Sequence, residues 1–364
     1  MSRTSTAAVV REPGGRFTLE SVELDDLRAG EVLVRIEAAG VCHTDMNMQT
    51  VVPMPAVFGH EGAGVVEEIG AGVDYVGPGD RVIISWPACG GCPSCISGRR
   101  DICDNQFPLL FSGRRLDGSQ TVKLGGEWIS GAFFQQSSFA THAIAPANSL
   151  VRVEDDLPPE LLAALPCGLM TGAGSILNAM KVGVQDDLVV FGAGGVGLSA
   201  VMAGRLVGAD PIIAVDVNSE RLTLALELGA THALNAAEGD IVARIREVVP
   251  RGVRFCYDTS GVESAWKAAA QCLGMGGTLG TVALPTTDTF DFQALELLSK
   301  GARVQFILAG SSTPRVILPR LIRWHRQGRF PFERLVRRFD FADINRAFEE
   351  AAAGRAVKPV LVMP

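Results

Sequence analysis

The sequence lacks several features that would assign it to a simple class of protein. Aromatic residues make up only 6% of its 364 residues, and its eight cysteines are too sparse for a disulfide scaffold. Basic residues do not outnumber acidic ones (33 against 40), and this balance argues against a protein that binds nucleic acid. Hydrophobic residues reach 47%, which excludes a disordered chain and allows a sizeable core.

Long hydrophobic runs are also scarce. Only 188–204 approaches the roughly 18 apolar residues of a membrane span, and its glycines indicate a buried strand, turn and helix instead. The first residues, MSRTSTAAVVRE, contain no apolar stretch long enough for a signal peptide. We therefore expect a cytoplasmic protein with no membrane partner, whose reduced cysteines serve metal binding or catalysis.

The chain changes character near Pro158, and its length favours two domains. Before this point, short alternating or β-branched runs between glycines indicate a β-rich domain, with strands at 31–38, 64–69 and 81–84. After it, apolar strands alternate with helices, which predicts a parallel sheet covered on both faces. The predicted strands are 188–191, 211–215, 232–235, 253–257, 278–282, 303–308 and 357–362, and the predicted helices are 195–207, 219–228, 241–248, 263–272, 314–327 and 341–353.

A glycine loop lies between the first strand and helix of this alternation. Gly192, Gly194 and Gly197 form the pattern G-x-G-x-x-G, with Gly195 and Val196 between the last two. The three glycines permit a tight turn, close approach of a pyrophosphate and close packing of helix on strand. Asp216 follows at the end of the next strand, where a carboxylate binds ribose hydroxyls and repels a 2′-phosphate. The pattern predicts NAD binding; Arg221 is the alternative determinant, because it would compensate the extra phosphate of NADP.

Four cysteines occur together in a loop rich in glycine, proline and serine. Cys89, Cys92, Cys95 and Cys103 have the spacing C-x2-C-x2-C-x7-C. Four thiolates leave no open position for a substrate, so the spacing predicts a structural zinc site. The alternatives are an iron–sulfur cluster, whose usual spacings fit poorly, and four incidental thiols.

A second set of metal-binding residue types is dispersed along the chain. Cys42, His60 and Cys167 supply two thiolates and one imidazole, a ligand set that leaves the fourth position of zinc open for substrate. Asp45 could hold the far nitrogen of His60, and Glu61 could approach the metal from behind. Spacing alone leaves open the alternative of two core cysteines and an ordinary polar histidine.

Several motifs resemble those of the zinc-dependent medium-chain alcohol dehydrogenases: GVCHTD, GHEGAGVVEEIGAGV, GDRV, the four-cysteine loop, PCGLMTGAG and GAGGVG. The resemblance covers essentially the whole chain, and the segment 320–363 is most similar to the bacterial aryl-alcohol (benzyl alcohol) and geraniol dehydrogenases. It implies an α/β fold with a GroES-like, β-rich catalytic domain at 1–167 and 309–364, including a structural zinc lobe near 86–104. It also implies a Rossmann coenzyme domain with a doubly wound parallel sheet at 168–308.

The resemblance assigns roles to single residues near the reacting centre. It makes Cys42, His60 and Cys167 the ligands of a catalytic zinc, and makes Thr44 the hydroxyl that takes the proton of the alcohol. Asn47 stands where several relatives end the proton relay with a histidine. An asparagine does not carry a proton near neutral pH, so that solvent or His43 must complete the relay.

The resemblance also identifies positions that contact the coenzyme or the substrate. The coenzyme positions are His43 near the pyrophosphate, Thr171 and Val196 against the nicotinamide, the Val282 carbonyl on its carboxamide, and the basic Lys358. The substrate-lining positions are Trp86, Phe133, Phe134 and Leu284, for which ordinary core packing is the alternative.

The predicted function is reversible, zinc-dependent oxidation of primary aryl or allylic alcohols, of the benzyl alcohol, cinnamyl alcohol or geraniol type, to aldehydes with NAD. Two zinc ions per chain are expected, one catalytic and one structural. The alternatives are a glutathione-adduct formaldehyde dehydrogenase, a broad-range aliphatic alcohol dehydrogenase, and a redox- or zinc-sensing binding protein on the same scaffold. The expected partners are a small apolar alcohol or aldehyde and a second copy of the chain in a homodimer, with a tetramer as the alternative.

Overall fold

Two compact units make up the structure, a computed structural model that describes residues 3–154, 156–283, 289 and 294–364. The first unit comprises Met1–Cys167, Thr313–Pro319 and Glu333–Pro364. The second comprises Gly168–Ser312 and Arg320–Phe332.

The first unit is rich in β-structure, as the alternating runs predict. Up to residue 152 its strands are β1 (Arg3–Val10), β2 (Thr18–Leu24), β3 (Glu31–Gly40), β4 (Ala56–Val57), β5 (Gly62–Ile69), β6 (Arg81–Ile84), β7 (Val122–Leu124), β8 (Glu127–Ile129), β9 (His142–Pro146) and β10 (Leu150–Arg152). The helices of the first unit up to residue 164 are short: α1 (His43–Asn47), α2 (Pro93–Ile96), α3 (Gln106–Phe111) and α4 (Pro159–Ala164). Single 3-10 turns occur at Met48–Thr50, Arg100–Ile102, Phe133–Gln135 and Ala147–Ser149.

The second unit contains the alternating strands and helices. Its strands are β11 (Leu188–Phe191), β12 (Ile212–Asp216), β13 (His232–Asn235), β14 (Val253–Asp258), β15 (Leu273–Thr281) and β16 (Arg303–Phe306). Its helices are α5 (Met170–Gly174), α6 (Gly195–Val207), α7 (Ser219–Leu228), α8 (Ile241–Val248), α9 (Glu263–Cys272) and α10 (Ala294–Ser299). The chain continues through α11 (Pro314–Arg326), β17 (Val336–Asp340), α12 (Ile344–Ala352) and β18 (Lys358–Val362), with 3-10 turns at Ala309–Ser311, Phe332–Leu335 and Phe341–Asp343.

Sheet pairing differs between the two units. In the described part of the first unit, one sheet has the order β4-β1-β2-β7-β8 and the other the order β10-β6-β5-β3-β18-β17, with β9 paired to β3. In the second unit the order is β13-β12-β11-β14-β15-β16, and every pairing is parallel. The strand order turns at β11, where the glycine loop begins, and such a switch point is where open α/β sheets bind ligands. The predicted α/β fold class is confirmed.

The C-terminal strand β18 explains why the end of the chain belongs to the first unit. It pairs antiparallel with β3 and parallel with β17, so that residues 336–362 complete a sheet begun by residues 31–40. The predicted catalytic-domain segment 309–364 differs from the observed division, which places 309–312 and 320–332 in the second unit. The physical reason is close packing: a Cβ on Gly310 would lie 2.7 Å from the Thr171 carbonyl, and Asn178 donates to the Ser312 hydroxyl at 2.9 Å.

One helical run, Pro159–Ala179, is long and apolar enough to cross a membrane by composition alone. In the structure 72% of its apolar window is buried inside the protein, as in a core helix. The run is not a uniform α-helix, because π-helical turns occur at Leu165–Leu169 and Ser175–Ala179. The first π turn accommodates Pro166, whose carbonyl accepts a hydrogen bond from the Ser85 hydroxyl at 3.1 Å.

Candidate metal and coenzyme sites

The dispersed cysteines and histidine of the first unit come together in space. The donor atoms of Cys42, His60, Glu61 and Cys167 all lie within 4.8 Å of one another, and we call these residues the first donor cluster. Cys42 immediately precedes α1, His60 and Glu61 form the turn between β4 and β5, and Cys167 lies in the first π turn. Residues that are 125 positions apart in sequence, Cys42 and Cys167, therefore share one site.

Asp45 orients two members of this cluster. Its carboxylate is fully buried and lies 2.9 Å from His60 Nδ1. The same carboxylate accepts hydrogen bonds from the backbone N–H groups of Gly59 and Cys42, each at 3.1 Å. By holding the Nδ1 proton, Asp45 leaves Nε2 of His60 as the nitrogen that can bind a metal, which is the role predicted for it.

The donor set of the first cluster fits zinc. His60 Nε2 lies 3.4 Å from Cys167 Sγ. Tetrahedral zinc with ordinary ligand bond lengths would place a nitrogen and a sulfur about 3.6 Å apart. Two sulfurs and one imidazole are the donors that zinc prefers, and three protein ligands leave one position for substrate. Cys42, His60 and Cys167 can therefore hold a catalytic zinc ion.

The pKa values of these groups shift in opposite directions, because the groups are buried next to one another. A hydrogen bond from Cys167 holds the pKa of Cys42 well below its usual range, while the same interaction and burial raise the pKa of Cys167. A metal ion bound to both sulfurs would require both thiols to lose their protons. Burial alone would lower the pKa of His60, but the Asp45 carboxylate raises it well above its usual value.

Glu61 and Lys358 form a buried ion pair beside the cluster. Both side chains are almost completely buried, and Lys358 Nζ also approaches the Val41 carbonyl at 3.4 Å. Burial raises the pKa of Glu61 to about 7, and Lys358 opposes this shift. The second carboxylate oxygen of Glu61 is buried and has no hydrogen-bond partner in the described part of the chain. Lys358, assigned to the coenzyme by resemblance, is thus placed against the metal-binding cluster.

The four-cysteine lobe (89–103) forms a second donor cluster. Cys89 Sγ lies 4.0 Å from Cys95 Sγ, and Cys92 Sγ lies 3.9 Å from Cys103 Sγ. Tetrahedral zinc with four thiolates would separate the sulfurs by about 3.8 Å. Backbone N–H groups also point at the sulfurs, including that of Cys89 at 3.4 Å from Cys103 Sγ. The geometry fits a closed structural zinc site with no position for substrate.

The residues predicted for the proton relay lie on α1 next to Cys42. The Thr44 hydroxyl is 3.5 Å from Cys42 Sγ, so it borders the first donor cluster. His43 and Asn47 are both exposed to solvent. The helix therefore connects the buried cluster to the surface through residues of the predicted relay.

Aromatic rings surround one side of the first donor cluster. Phe134 stacks on the His60 imidazole, with ring centroids 4.4 Å apart and planes at 27°. Phe133 meets His60 edge-on at 5.6 Å, and Trp86 meets Phe134 edge-on at 5.6 Å. Phe111 contacts Phe134 at 5.7 Å; sequence analysis did not identify it, because no motif marks it. We call these four residues the aromatic wall; Leu284, also predicted to line the substrate, lies outside the described residues.

In the second unit, the glycine loop has the geometry that its spacing predicts. Gly192 has a φ of +94°, which favours glycine, and a Cβ there would lie 2.6 Å from the Thr259 hydroxyl. A Cβ on Gly197 would lie 1.8 Å from the Gly192 carbonyl, so helix and strand pack too closely for a side chain. Nothing lies within 4 Å of a Cβ on Gly194, which leaves its backbone open to a ligand. Gly195 begins α6, whose N-terminal N–H groups suit a pyrophosphate.

Asp216 links this loop to a neighbouring cavity. Its carboxylate accepts hydrogen bonds from the N–H groups of Ala193 at 2.6 Å and Asn218 at 2.8 Å. It also lines a cavity of about 240 Å³ with mostly apolar neighbours, among them Val217 and Ile241. Arg221 lies in the first turn of α7, where its backbone N–H is capped by the Asn218 side chain. A cavity that is mostly apolar and is lined by one carboxylate is suited to bind the adenosine of a coenzyme.

The remaining coenzyme positions lie in the same unit. Thr171 and Val196 are on helices that touch closely, since a Cβ on Gly172 would lie 2.1 Å from the Val196 carbonyl. Val282 follows β15, and its N–H donates to the Asp258 carbonyl at 3.3 Å. These three residues are thus at the carboxyl-terminal side of the parallel sheet or on the helices beside it.

Comparison with known proteins identifies the family. The family "Zinc-binding dehydrogenase" matches residues 195–324, and "Alcohol dehydrogenase GroES-like domain" matches residues 28–155. A geraniol dehydrogenase from Castellaniella defragrans is 44% identical over 364 residues, which cover 99% of this chain and 98% of that protein. A benzyl alcohol dehydrogenase structure from Acinetobacter calcoaceticus matches with a TM-score of 0.95 and 38% identity, covering 100% of both chains.

An alcohol dehydrogenase zinc-binding domain protein from Burkholderia ambifaria matches over 100% of both chains with a TM-score of 0.97 and 42% identity. The matches span both units of the fold. The two donor clusters can hold the zinc ions of such an enzyme, and the glycine loop can bind its coenzyme. The chain is therefore an NAD-dependent alcohol dehydrogenase that uses one catalytic and one structural zinc ion, and it belongs to the zinc-dependent medium-chain alcohol dehydrogenase family, in the branch of the aryl-alcohol and geraniol dehydrogenases.

Proposed function

We propose that this chain oxidises primary allylic and aryl alcohols to the corresponding aldehydes with NAD, in a reversible reaction. The observation that carries the proposal is the aromatic wall beside the first donor cluster, in which Trp86 and Phe111 are half-buried, whereas Phe133 and Phe134 are buried in the core of the first unit. The similarity to a geraniol dehydrogenase and a benzyl alcohol dehydrogenase supports the same substrate class. Geraniol and benzyl alcohol both carry an extended apolar group next to the reacting carbon.

The preference for such groups follows from buried area. A planar apolar substituent packed against aromatic rings leaves water and gains binding free energy. Each buried methylene contributes roughly 0.8 kcal/mol, which is about fourfold in affinity. Ethanol has too few carbons to use this wall. Benzylic and allylic alcohols also yield conjugated aldehydes, which makes their oxidation easier than that of a simple alkanol.

We propose Cys42, His60 and Cys167 as the ligands of the catalytic zinc, with Asp45 and Glu61 supporting them. Zinc bound there would act as a Lewis acid that lets an alcohol lose its proton near neutral pH. The Thr44 hydroxyl would receive that proton, because it borders the cluster. Solvent or the exposed His43 would take it onward, since Asn47 lacks an ionisable group. NAD, held in the second unit, would accept the two electrons of the carbinol C–H bond as a hydride.

For the coenzyme site we propose the glycine loop, Asp216 and the positions Thr171, Val196 and Val282. Asp216 has each carboxylate oxygen on one backbone N–H, which leaves lone pairs for ribose hydroxyls. A 2′-phosphate next to this carboxylate would be repelled, and this repulsion supports NAD over NADP. We further propose that the first unit is the catalytic domain and the second unit the coenzyme domain.

We also propose that the chain forms a homodimer and is located in the cytoplasm. In the described part of the chain, β16 pairs on one side only, and Phe306 on this edge strand is 73% exposed. An open strand edge with a large apolar side chain is suited to pairing with a second copy. Light scattering of the purified protein distinguishes a dimer from a monomer or tetramer. The eight cysteines, which all lie in the described part, form no disulfide, and this supports a reducing compartment.

An alcohol panel with NAD tests the proposed substrate class. Benzyl alcohol, cinnamyl alcohol and geraniol are each expected to exceed ethanol at least about tenfold in kcat/KM, from two or more additional buried methylene equivalents. Trp86→Ala should narrow this gap, whereas Trp128→Ala, at an exposed ring outside the wall, should leave it unchanged. A panel in which ethanol equals the aryl and allylic alcohols refutes the proposal. Turnover of formaldehyde only with glutathione would favour the alternative activity.

A further inference from the structure

Two segments of the first unit are bound to each other along their length. We call 57–62 the ligand segment, because it contains His60 and Glu61, and 133–139 the aromatic turn, because it contains Phe133 and Phe134. The backbone N–H groups of Ser138 and Phe139 donate to the carbonyls of Gly59 and Phe58, each at 2.9 Å. The Ser137 hydroxyl donates to the Val57 carbonyl at 2.6 Å. The aromatic turn therefore fixes the backbone that leads to His60.

The side chain of Gln136 completes this contact at the metal-binding residues themselves. Its Nε2 donates to the His60 carbonyl at 2.9 Å, and its Oε1 accepts from the Gly62 N–H at 3.1 Å. One buried amide, 1% exposed, thus binds the backbone on both sides of Glu61. The ligand segment permits this approach because residue 62 is a glycine, where a Cβ would lie 2.8 Å from the Ser138 side chain.

The aromatic turn is held in an uncommon backbone conformation. Phe134, Gln135 and Ser137 have φ values of 50°, 55° and 48°, although none is a glycine. Such φ values persist only where the surroundings fix them. Here the conformation directs the Phe134 ring onto His60 while the Gln136 amide faces the backbone of the same histidine. The ring and the amide therefore contact one metal ligand from two sides.

We propose that Gln136 is a positioning residue that sets the orientation of His60 and Glu61 for the catalytic zinc. Because Gln136 lies in the aromatic turn, the orientation of these two residues then depends on the position of the aromatic wall. This inference rests on the proposed zinc ligands. It assigns Gln136 a role that differs from that of its neighbour Gln135, an equally buried amide in the same turn. Gln135 donates to the carbonyls of Leu109 and Arg114, away from the ligand segment.

The test compares Gln136→Met with Gln135→Met, because both remove a buried amide at nearly constant side-chain volume. Zinc release to a chelator is followed for both zinc ions of the full-length protein, with the thermal midpoint, kcat and KM. Gln136→Met is expected to release one zinc ion at least about tenfold faster than wild type, as for lost partners of metal ligands. The second zinc, in the four-cysteine lobe, should be released at the wild-type rate. Cobalt(II) in the faster site should show a shifted visible spectrum.

Gln135→Met should lower the thermal midpoint but leave zinc release and the cobalt spectrum at wild-type values, because its amide binds no backbone of the ligand segment. The inference is overturned if Gln136→Met behaves as Gln135→Met does. Gln136→Leu serves if the methionine variant does not fold, since it also removes both hydrogen bonds to the ligand segment without adding a charge. Unchanged zinc release in Gln136→Leu overturns the inference too. A wild type that holds one zinc ion and oxidises no alcohol refutes the proposed function instead, so the two failures are distinguishable.

Discussion

Replacing Cys103 with serine should unfold the four-cysteine lobe without unfolding the rest of the protein. The lobe has its own small core, formed by Ala88, Cys95, Cys103 and Leu109, which is separate from the main core of the first unit. Two of these four residues are members of the proposed zinc site. Without the metal, the lobe therefore has little apolar area to hold it together.

The magnitude follows from the size of this core. Ordering the 15 residues from Cys89 to Cys103 costs at least about 15 kcal/mol of backbone entropy at about 1 kcal/mol each. Burial of Leu109 returns about 2 kcal/mol, and a structural zinc ion contributes about 10–16 kcal/mol. The balance is near zero with zinc and unfavourable by roughly 13 kcal/mol without it. Loss of one thiolate should therefore abolish local protection.

Hydrogen exchange and elemental analysis measure this outcome. In Cys103→Ser we expect amides in the four-cysteine lobe to exchange as in an unfolded chain, with zinc content falling from two ions to one. Cys256→Ser is the control, since this cysteine is buried in the second unit and belongs to neither donor cluster. It should lower overall stability by about 1–3 kcal/mol for a buried hydroxyl without a partner, and retain both zinc ions. A Cys103→Ser protein with a protected lobe and two zinc ions would refute this reasoning.

Asp216→Ala should bring kcat/KM with NADP closer to that with NAD, because the repelling carboxylate is gone; a wild type that prefers NADP would assign this role to Arg221. Thr44→Ala should lower kcat by about 100-fold, and Asn47→Ala by far less, in steady-state assays; equal losses would mean that Asn47 positions a group. Asn47→His should add a group that titrates near neutral pH and introduce a new limb in the pH profile of kcat/KM. An unchanged pH profile would contradict the place of residue 47 in the proton relay. Arg115→Met should cost about 3–5 kcal/mol in urea unfolding, because it leaves two carboxylates without their buried partner; a loss below about 1 kcal/mol would show that those carboxylates are solvated.

Local patterns predict the second unit well. The helices Gly195–Val207, Ser219–Leu228, Ile241–Val248 and Glu263–Cys272 have their predicted bounds, because apolar spacing and caps such as Asn218 and Asp240 act over a few residues. The strand β15 begins at Leu273, five residues before its prediction at 278. Three glycines in this stretch obscure the strand, since they have no side chain to signal burial.

Long-range relations are harder to predict. The four-cysteine lobe is recognisable because its ligands lie within 15 residues, whereas no spacing rule connects Cys167 with Cys42. The ion pair of Lys358 and Glu61 joins residues 297 positions apart. Nothing local indicates it, because only the pairing of β18 with β3 brings the two together. The resemblance to a family locates such residues, but their partners become apparent only in the folded chain.

The π turn at Leu165–Leu169 limits how many residues this helical run can contain. A π turn accommodates about one residue more than an α-helical turn, so the segment after it is rotated by about 100°. Cys167 lies in the middle of this turn, on the side of Cys42 and His60. With one residue fewer, the sulfur would turn away from Cys42 and His60, and the buried apolar side chains of the same segment would change their faces as well. The metal ligand and the core therefore both depend on the residue count of this single turn.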